Sequence, residues 1–278
     1  MKLKDKVVLI SGASRGIGLA IAQRVAVDGA RVAVLAKSTT EDPRIPGTIF
    51  SARDAVIASG GESVAISCDV REEAQVVDAI NQTVAAFGGI DIVVNCAGAI
   101  RLTSVEKTEM KQFDLMHALN ARAPYMVAKH ALAWLKKSDG GHILNMSPPI
   151  NLHPGWLGPH LAYTMSKYGM SMVTIALDFE LTGTNIAVNS LWPETLIETA
   201  AVRNLLGGDQ MIKASRKPQI VADAAYLIFT EAPPNGGSPS GNFYIDSEVL
   251  ISHGQTDLDR YAVDPTVKLR PDIFLGEP

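Results

Sequence analysis

Apolar positions along this chain fall into short dense runs, separated by longer stretches in which they recur every three or four residues. The runs are Val7–Ser11, Arg31–Ala36, Ser63–Cys68, Ile90–Asn95, Gly141–Met146, Asn185–Leu191 and Asn242–Ile245, several with Val and Ile on consecutive positions. A strand with one wet face alternates, whereas a strand covered on both faces does not. These runs therefore read as strands of a buried parallel sheet. Between them, residues 18–28, 51–59, 71–87, 123–136 and 162–181 have helical spacing, as with Val76, Val77, Ile80 and Val84. Alternating strand and helix predicts an α/β fold, a Rossmann-type doubly wound parallel sheet in a single domain. Ligands of such a sheet sit at the carboxyl ends of its strands.

Two stretches break the rhythm. Residues 38–50 contain Pro43, Pro46 and Gly47 and read as an extended insertion beside the strand ends. The polar tail, residues 252–278, reads as an arm of the same unit as residues 1–251. Its Tyr261, Leu269, Ile273, Phe274 and Leu275 favour a docked arm over a loose end.

Of the 278 residues, 47% are hydrophobic, enough for a large buried core. A net charge of −4 without a basic stripe argues against nucleic acid as a partner. Cys68 and Cys96 have neither metal-ligand nor disulfide-framework spacing, so no metal is expected and a reducing compartment is. No apolar run approaches the ~18 residues of a membrane span. The run Val7–Ile10 ends at a glycine turn and is too short for a secretory segment. The expected location is cytoplasmic.

Chemistry concentrates in two places. Gly12, Gly16 and Gly18 follow the first strand and open the first helix. Glycines there allow a tight turn and close backbone approach to a pyrophosphate, while the helix start offers free N–H groups. Gly12, Ser14, Arg15, Gly16, Ile17 and Gly18 are the candidates for that contact. Tyr163 and Lys167 lie four residues apart, on one helix face. A phenol of pKa ~10 is a poor acid-base group at neutral pH, and a neighbouring ammonium makes it a better one.

Taken together, these motifs resemble the short-chain dehydrogenase/reductase family, whose T-G-x-x-x-G-x-G has Ser11 here in the threonine position. Asn95-Cys96-Ala97-Gly98 resembles its N-N-A-G. Pro193–Thr199 resembles its P-G-x-I-x-T, with Glu194 for glycine and one more residue. The runs 145–149, 162–172, 191–195 and 222–226 look like the hydroxysteroid dehydrogenase-like group within that family. Members of that group can carry a sterol-carrier domain, and none is expected within these 278 residues. The resemblance implies a nicotinamide cofactor contacted by Asp69, Asn95, Ala97, Gly98, Pro193, Ile197 and Thr199. It implies that Lys167 also holds the ribose, that Asn120 supports a proton relay, and that the protein is a homodimer or homotetramer.

The residues themselves bear on which cofactor. The second strand ends Val34-Leu35-Ala36-Lys37-Ser38, with no acid before Glu41 to bond ribose hydroxyls. Lys37 and Arg15 suit a 2′-phosphate, so NADP(H) is preferred, with NAD(H) possible.

One position departs from the family. Its substrate-binding serine aligns with Pro148, which has no hydroxyl and no N–H. Ser147 is the candidate replacement, with Asn151 and His153 as alternatives. A strand-end hydroxyl bonded to backbone and two ordinary loop residues are the plainer readings of the three. Apolar residues in 152–161 and 196–211 form either a substrate rim with a movable lid or simple packing and subunit contact. The expected function is NADP(H)-dependent interconversion of a small-molecule alcohol and carbonyl, on a hydrophobic substrate. Reduction of an enoyl-type double bond and a catalytically impaired NADP(H)-binding regulator remain as alternatives.

Overall fold

The computed structural model describes residues 2–231 and 239–275. In chain order the elements are β1 (Val7–Ser11), α1 (Gly16–Ala26), β2 (Arg31–Ala36), α2 (Ile49–Ala58), β3 (Glu62–Ser67), α3 (Glu73–Phe87), β4 (Ile92–Asn95) and α4 (Met110–His117). There follow α5 (Ala123–Leu135), β5 (Gly141–Asn145), the short α6 (Pro154–Leu157), α7 (Leu161–Glu180), β6 (Ile186–Trp192), α8 (Ala200–Leu205), α9 (Gly208–Lys213), α10 (Gln219–Thr230), β7 (Phe243–Ile245) and α11 (Asp246–Ser252).

The strands form one parallel sheet in the order β3-β2-β1-β4-β5-β6-β7. Every residue of β1 is buried, which is why its apolar positions are continuous rather than alternating. Val8 and Ile10 face one core with α1 and α10, while Leu9 faces the other with α3, α5 and α7. The doubly wound α/β reading from sequence holds. Element ends shift by one to two residues, for local reasons. Helix α2 starts at Ile49 rather than 51 because Thr48 and Ser51 cap each other's backbone N–H. Helix α3 starts at Glu73 rather than 71 because the Asp69 carboxylate accepts the Arg71 N–H at 3.1 Å and holds a turn.

Strands β2 and β3 lie on one side of β1 and β4 to β7 on the other, so the chain reverses direction between β1 and β4. The crevice at their carboxyl ends is where this fold binds ligands. Ser11, Asn95, Asn145 and Ser190 are register partners there, one per strand across the sheet. Asn95 Nδ2 donates to Asn145 Oδ1 at 2.8 Å, and Asn145 Nδ2 donates to Thr174 Oγ1 at 2.8 Å. Thr174, Ser190 and Ser147 continue the hydroxyl chain. Each polar group is buried and bonded, so the row costs little and locks the strand ends together.

After α11 the chain returns across the molecule. Leu196 N donates to Arg270 O at 3.0 Å and Asp272 N to Glu194 O at 2.9 Å, an antiparallel contact. Trp192 Nε1 donates to Ile273 O at 3.1 Å, and Phe274 beyond it is 2% exposed. The tail is thus a docked arm over the segment that follows β6. Among the described residues no helix is long and apolar enough to cross a membrane.

Candidate active site

The glycine loop lines a cavity of about 470 Å³ at the end of β1. A side chain on Gly12, where φ is +73°, would put its Cβ 2.7 Å from Ala97 N, so only glycine fits. A Cβ on Gly18 would meet Gly12 O at 2.5 Å. Gly18 thus serves the packing of helix on loop rather than lining the cavity. Ser11 Oγ accepts from Cys96 N and Ala97 N at 3.2 and 3.3 Å, tying the loop after β4 to the glycine turn. Helix α1 has no side-chain cap and no acid in its first turn. Its first N–H groups are left for an anion, and the residues present fit the pyrophosphate of a dinucleotide.

Of the residues selected from sequence, Ser14, Arg15, Gly16, Lys37, Asp69, Ala97, Gly98 and Thr199 line this cavity. Two of them are not free. Arg15 Nε and Nη2 donate to Pro46 O and Gly47 O at 3.0 and 2.6 Å, so the insertion 38–50 holds the guanidinium. Asp69 is paired with Arg71, whose hydrogen bonds are the main cause holding its carboxyl below the usual range. Lys37 is exposed at the rim. Asn204 Nδ2 donates to Arg44 O at 2.9 Å, joining the insertion to α8 over the cavity.

A second cavity, about 190 Å³, shares Cys96, Gly98, Thr199 and Ala201 as walls with the first. Tyr163 and Lys167 of α7 line it together with Ile17, Pro193 and Ile197. Burial and then Asp272 push the Tyr163 phenol upward. Burial brings the Lys167 ammonium down to about 8. Lys167 Nζ donates to Met146 O at 2.8 Å and lies 5.2 Å from the Trp192 ring centre. Asn120 stands behind the cavity in a π-turn, residues 118–122, between α4 and α5. Its side chain exchanges hydrogen bonds with the Ala99 backbone at 2.8 and 2.9 Å and donates to Ser166 Oγ at 2.9 Å. A widened turn of this kind recurs at functional sites.

Other sequence candidates are placed elsewhere. Ser147 Oγ lies 2.8 Å from Ser190 Oγ, fully buried in the hydroxyl chain. It is not in the Tyr163 cavity. Strand β5 ends at Asn145, and Ser147 N turns back to Asn145 O at 2.9 Å, which aims the side chain toward β6. Asn151 Oδ1 accepts the His153 N–H, and His153 Nδ1 accepts the Gly155 N–H, so both residues hold their loop. Asn95 belongs to the strand-end row and reaches the site only through it.

Sequence reasoning missed Trp192 and Asp272, both walls of the Tyr163 cavity. Asp272 comes from the arm, more than a hundred residues from Tyr163. The only signal available was the apolar content around it. Asp272 also lines a third cavity of about 1020 Å³, whose walls include Ile100, Trp156, Leu196, Leu206 and Met211. Of the apolar residues of 152–161 and 196–211, Trp156, Leu196, Leu206 and Met211 thus line an outer cleft that shares Ile100, Leu196, Leu206 and Asp272 with the Tyr163 cavity.

A sequence profile described as short chain dehydrogenase matches residues 6–208. The chain belongs to the short-chain dehydrogenase/reductase family. It is 49% identical over 276 residues to hydroxysteroid dehydrogenase-like protein 2 of Xenopus laevis, covering 99% of this chain and 65% of that protein. It therefore spans just under two thirds of that relative's length. The crystal structure of a putative dehydrogenase from Xanthomonas campestris superposes with a TM-score of 0.95, at 49% identity over 100% of both chains. A metagenomic short-chain oxidoreductase in complex with NADP superposes with a TM-score of 0.69 at 25% identity, covering 88% of this chain and 98% of that one. The family is one of oxidoreductases.

Proposed function

We propose that the protein interconverts an alcohol and a carbonyl, using NADP(H) and a hydrophobic small-molecule substrate. One observation carries the reading: Tyr163 and Lys167 wall a cavity that shares lining residues with the glycine-loop cavity on one side and an apolar cleft on the other. A nicotinamide nucleotide, when bound, supplies the redox equivalent for that chemistry. The glycine loop and the start of α1 would hold its pyrophosphate, and Lys167 its ribose. Tyr163 passes a proton to or from the substrate oxygen. Lys167, charged below about 8, favours the ionised phenol that burial alone disfavours. Asn120 holds the Ala99 backbone and Ser166 beside this route.

The preference for the 2′-phosphate rests on Lys37 and on the missing acid at the end of β2, with Arg15 contributing through its charge while bonded to the insertion. The related oxidoreductase solved with NADP is consistent with it. Lys37→Asp should weaken NADPH binding about 10- to 100-fold, the loss of one charge-assisted hydrogen bond, and tighten NADH binding. Fluorescence titration of both cofactors checks this; an unchanged ratio of Kd values assigns the phosphate elsewhere.

A second reading is favoured by Pro148, where the family's serine is lost: a cofactor-binding regulator without turnover. NADPH consumption against ketones and α,β-unsaturated carbonyl compounds separates the readings. Ketone reduction supports the first, double-bond reduction alone the enoyl alternative, and no turnover the regulator.

We also infer a homo-oligomer. Tyr125 of α5 and Met165, Met172 and Phe179 of α7 are 60%, 46%, 60% and 84% exposed. Apolar side chains repeated along helices in this way suit burial by a second copy. Sedimentation should report a multiple of 29.6 kDa, and a monomeric mass would reject the inference.

A further inference from the structure

The oxygen of a carbonyl substrate needs a second donor besides the tyrosine, and the family's usual one is missing. Pro148 has no donor, Ser147 is turned into the hydroxyl chain, and Asn151 and His153 are committed to their loop. The remaining polar walls of the Tyr163 cavity are mostly engaged as well. Lys167 donates to Met146 O and Trp192 Nε1 to Ile273 O, while Thr199, which accepts the Val202 N–H and keeps its own O–H, is a wall shared with the glycine-loop cavity. Asp272 differs. Its Oδ1 accepts only the Ile273 N–H, at 2.7 Å, and its Oδ2 has no hydrogen-bond partner among the described residues. Among the described residues it is also the one polar side chain that walls both the Tyr163 cavity and the outer apolar cleft.

The placement of Asp272 is enforced. Two residues later, Phe274 has φ +74°, a left-handed conformation that a bulky side chain adopts only when its surroundings demand it. Its ring lies within 5.3–6.2 Å of the ring centres of Trp156, His160, Tyr163, Tyr168 and Trp192. The ring stacks on Tyr163 at 16°. On the other side, Asp272 N is fixed to Glu194 O. The arm is therefore held at both ends of Asp272, against the tyrosine itself.

We propose that Asp272 is the second substrate-contacting group of this site: its carboxylic acid donates a hydrogen bond to the carbonyl oxygen that Tyr163 protonates. This rests on the carbonyl-reducing reading above. Asp272 keeps its proton throughout, and the proton that ends on the product oxygen comes from Tyr163. The charge environment suits the neutral form. Burial, with Asp246 adding to it, raises the Asp272 carboxyl to about 7, against the opposing effects of the Ile273 N–H and Lys167. The titratable and charged groups around it are Tyr163 and Lys167 on α7, Asp246 on α11, Cys96 after β4, and the Glu194–Arg216 pair. An ionised Asp272 would oppose ionisation of Tyr163, whereas a protonated one would not. A carboxylic acid kept neutral in an apolar site is an effective donor to a developing oxyanion.

The test uses the full chain with NADPH and the best ketone of the screen, in wild type, Asp272→Asn and Asp272→Leu. Leucine removes the donor and should lower kcat about 100-fold with NADPH affinity unchanged. Asparagine keeps an N–H donor and should recover about a tenth of wild-type turnover. Wild-type kcat for reduction should decline as pH rises through about 7, where the donor proton is lost. The asparagine variant should lack that limb and keep the one near 8 set by Lys167. Wild-type turnover in Asp272→Leu, or an unchanged pH 7 limb in Asp272→Asn, overturns the proposal. A binding arm separates this from failure of the oxidoreductase reading. Acetophenone affinity for the NADP+-loaded protein should weaken above pH 7 in wild type and in Tyr163→Phe, but not in Asp272→Asn. If no ketone is turned over, the carbonyl-reducing reading falls, and this arm alone decides Asp272. Binding indifferent to Asp272→Leu, or none detected, sinks it.

Discussion

Tyr163→Phe should lower ketone reduction by about 10³-fold or more, within the range set by losing a positioned proton donor in the transition state. The fold should tolerate the change. The phenyl ring that stacks with Phe274 and fills the core beside Trp156 and Tyr168 is retained. The hydroxyl that is lost has no hydrogen-bond partner among the described residues, so no buried group is stranded by its removal. NADPH affinity should hold within a few-fold, because the glycine loop and Lys167 are untouched. Steady-state kinetics beside a cofactor titration check both halves. Turnover equal to wild type defeats the mechanism, while loss of cofactor binding along with turnover shows that the hydroxyl acts in holding the cofactor rather than in proton transfer alone.

The second large effect concerns the arm. Phe274→Ala removes a ring that is 2% exposed and sits among five aromatic or imidazole rings. Truncating a buried phenylalanine costs about 3–5 kcal/mol when the surroundings cannot collapse. Here the chain has an alternative, since the arm can detach from the sheet, and the loss is bounded by the free energy of docking it. Undocking also relieves the left-handed backbone at 274. The expected result is local: amide protection at Arg270 and Asp272 falls, and trypsin cuts at Lys268 well before the sheet unfolds. Turnover should fall with it, because Asp272 leaves and water enters the Tyr163 cavity. Hydrogen exchange and limited proteolysis read this directly. An arm as protected in the variant as in wild type would show that the backbone contacts to Glu194, Leu196 and Ala214 suffice alone.

Much of this protein was legible from local sequence, because the physics there is local. Unbroken apolar runs mark strands buried on both faces, and three glycines after the first of them mark a turn, where a Cβ at Gly12 or Gly18 cannot fit. Residues four apart on one helix necessarily share a face, so Tyr163 and Lys167 could be paired without coordinates. The sequence by itself determined the doubly wound sheet, the glycine turn after its first strand and the pairing of Tyr163 with Lys167 on one helix face. Other features depended on where distant segments meet. Pro148 could be seen to lack a donor, but the direction of Ser147 followed only from β5 ending at Asn145 and β6 presenting Ser190 beside it. That Arg15 is held by the insertion rather than standing free needed the carbonyls of Pro46 and Gly47 in place. Above all, the apolar tail announced that it would dock, yet not onto what. Only tertiary structure brings Asp272 across from the end of the chain to Tyr163, because no periodicity links residues that meet through Phe274 filling a hole made by five separate side chains.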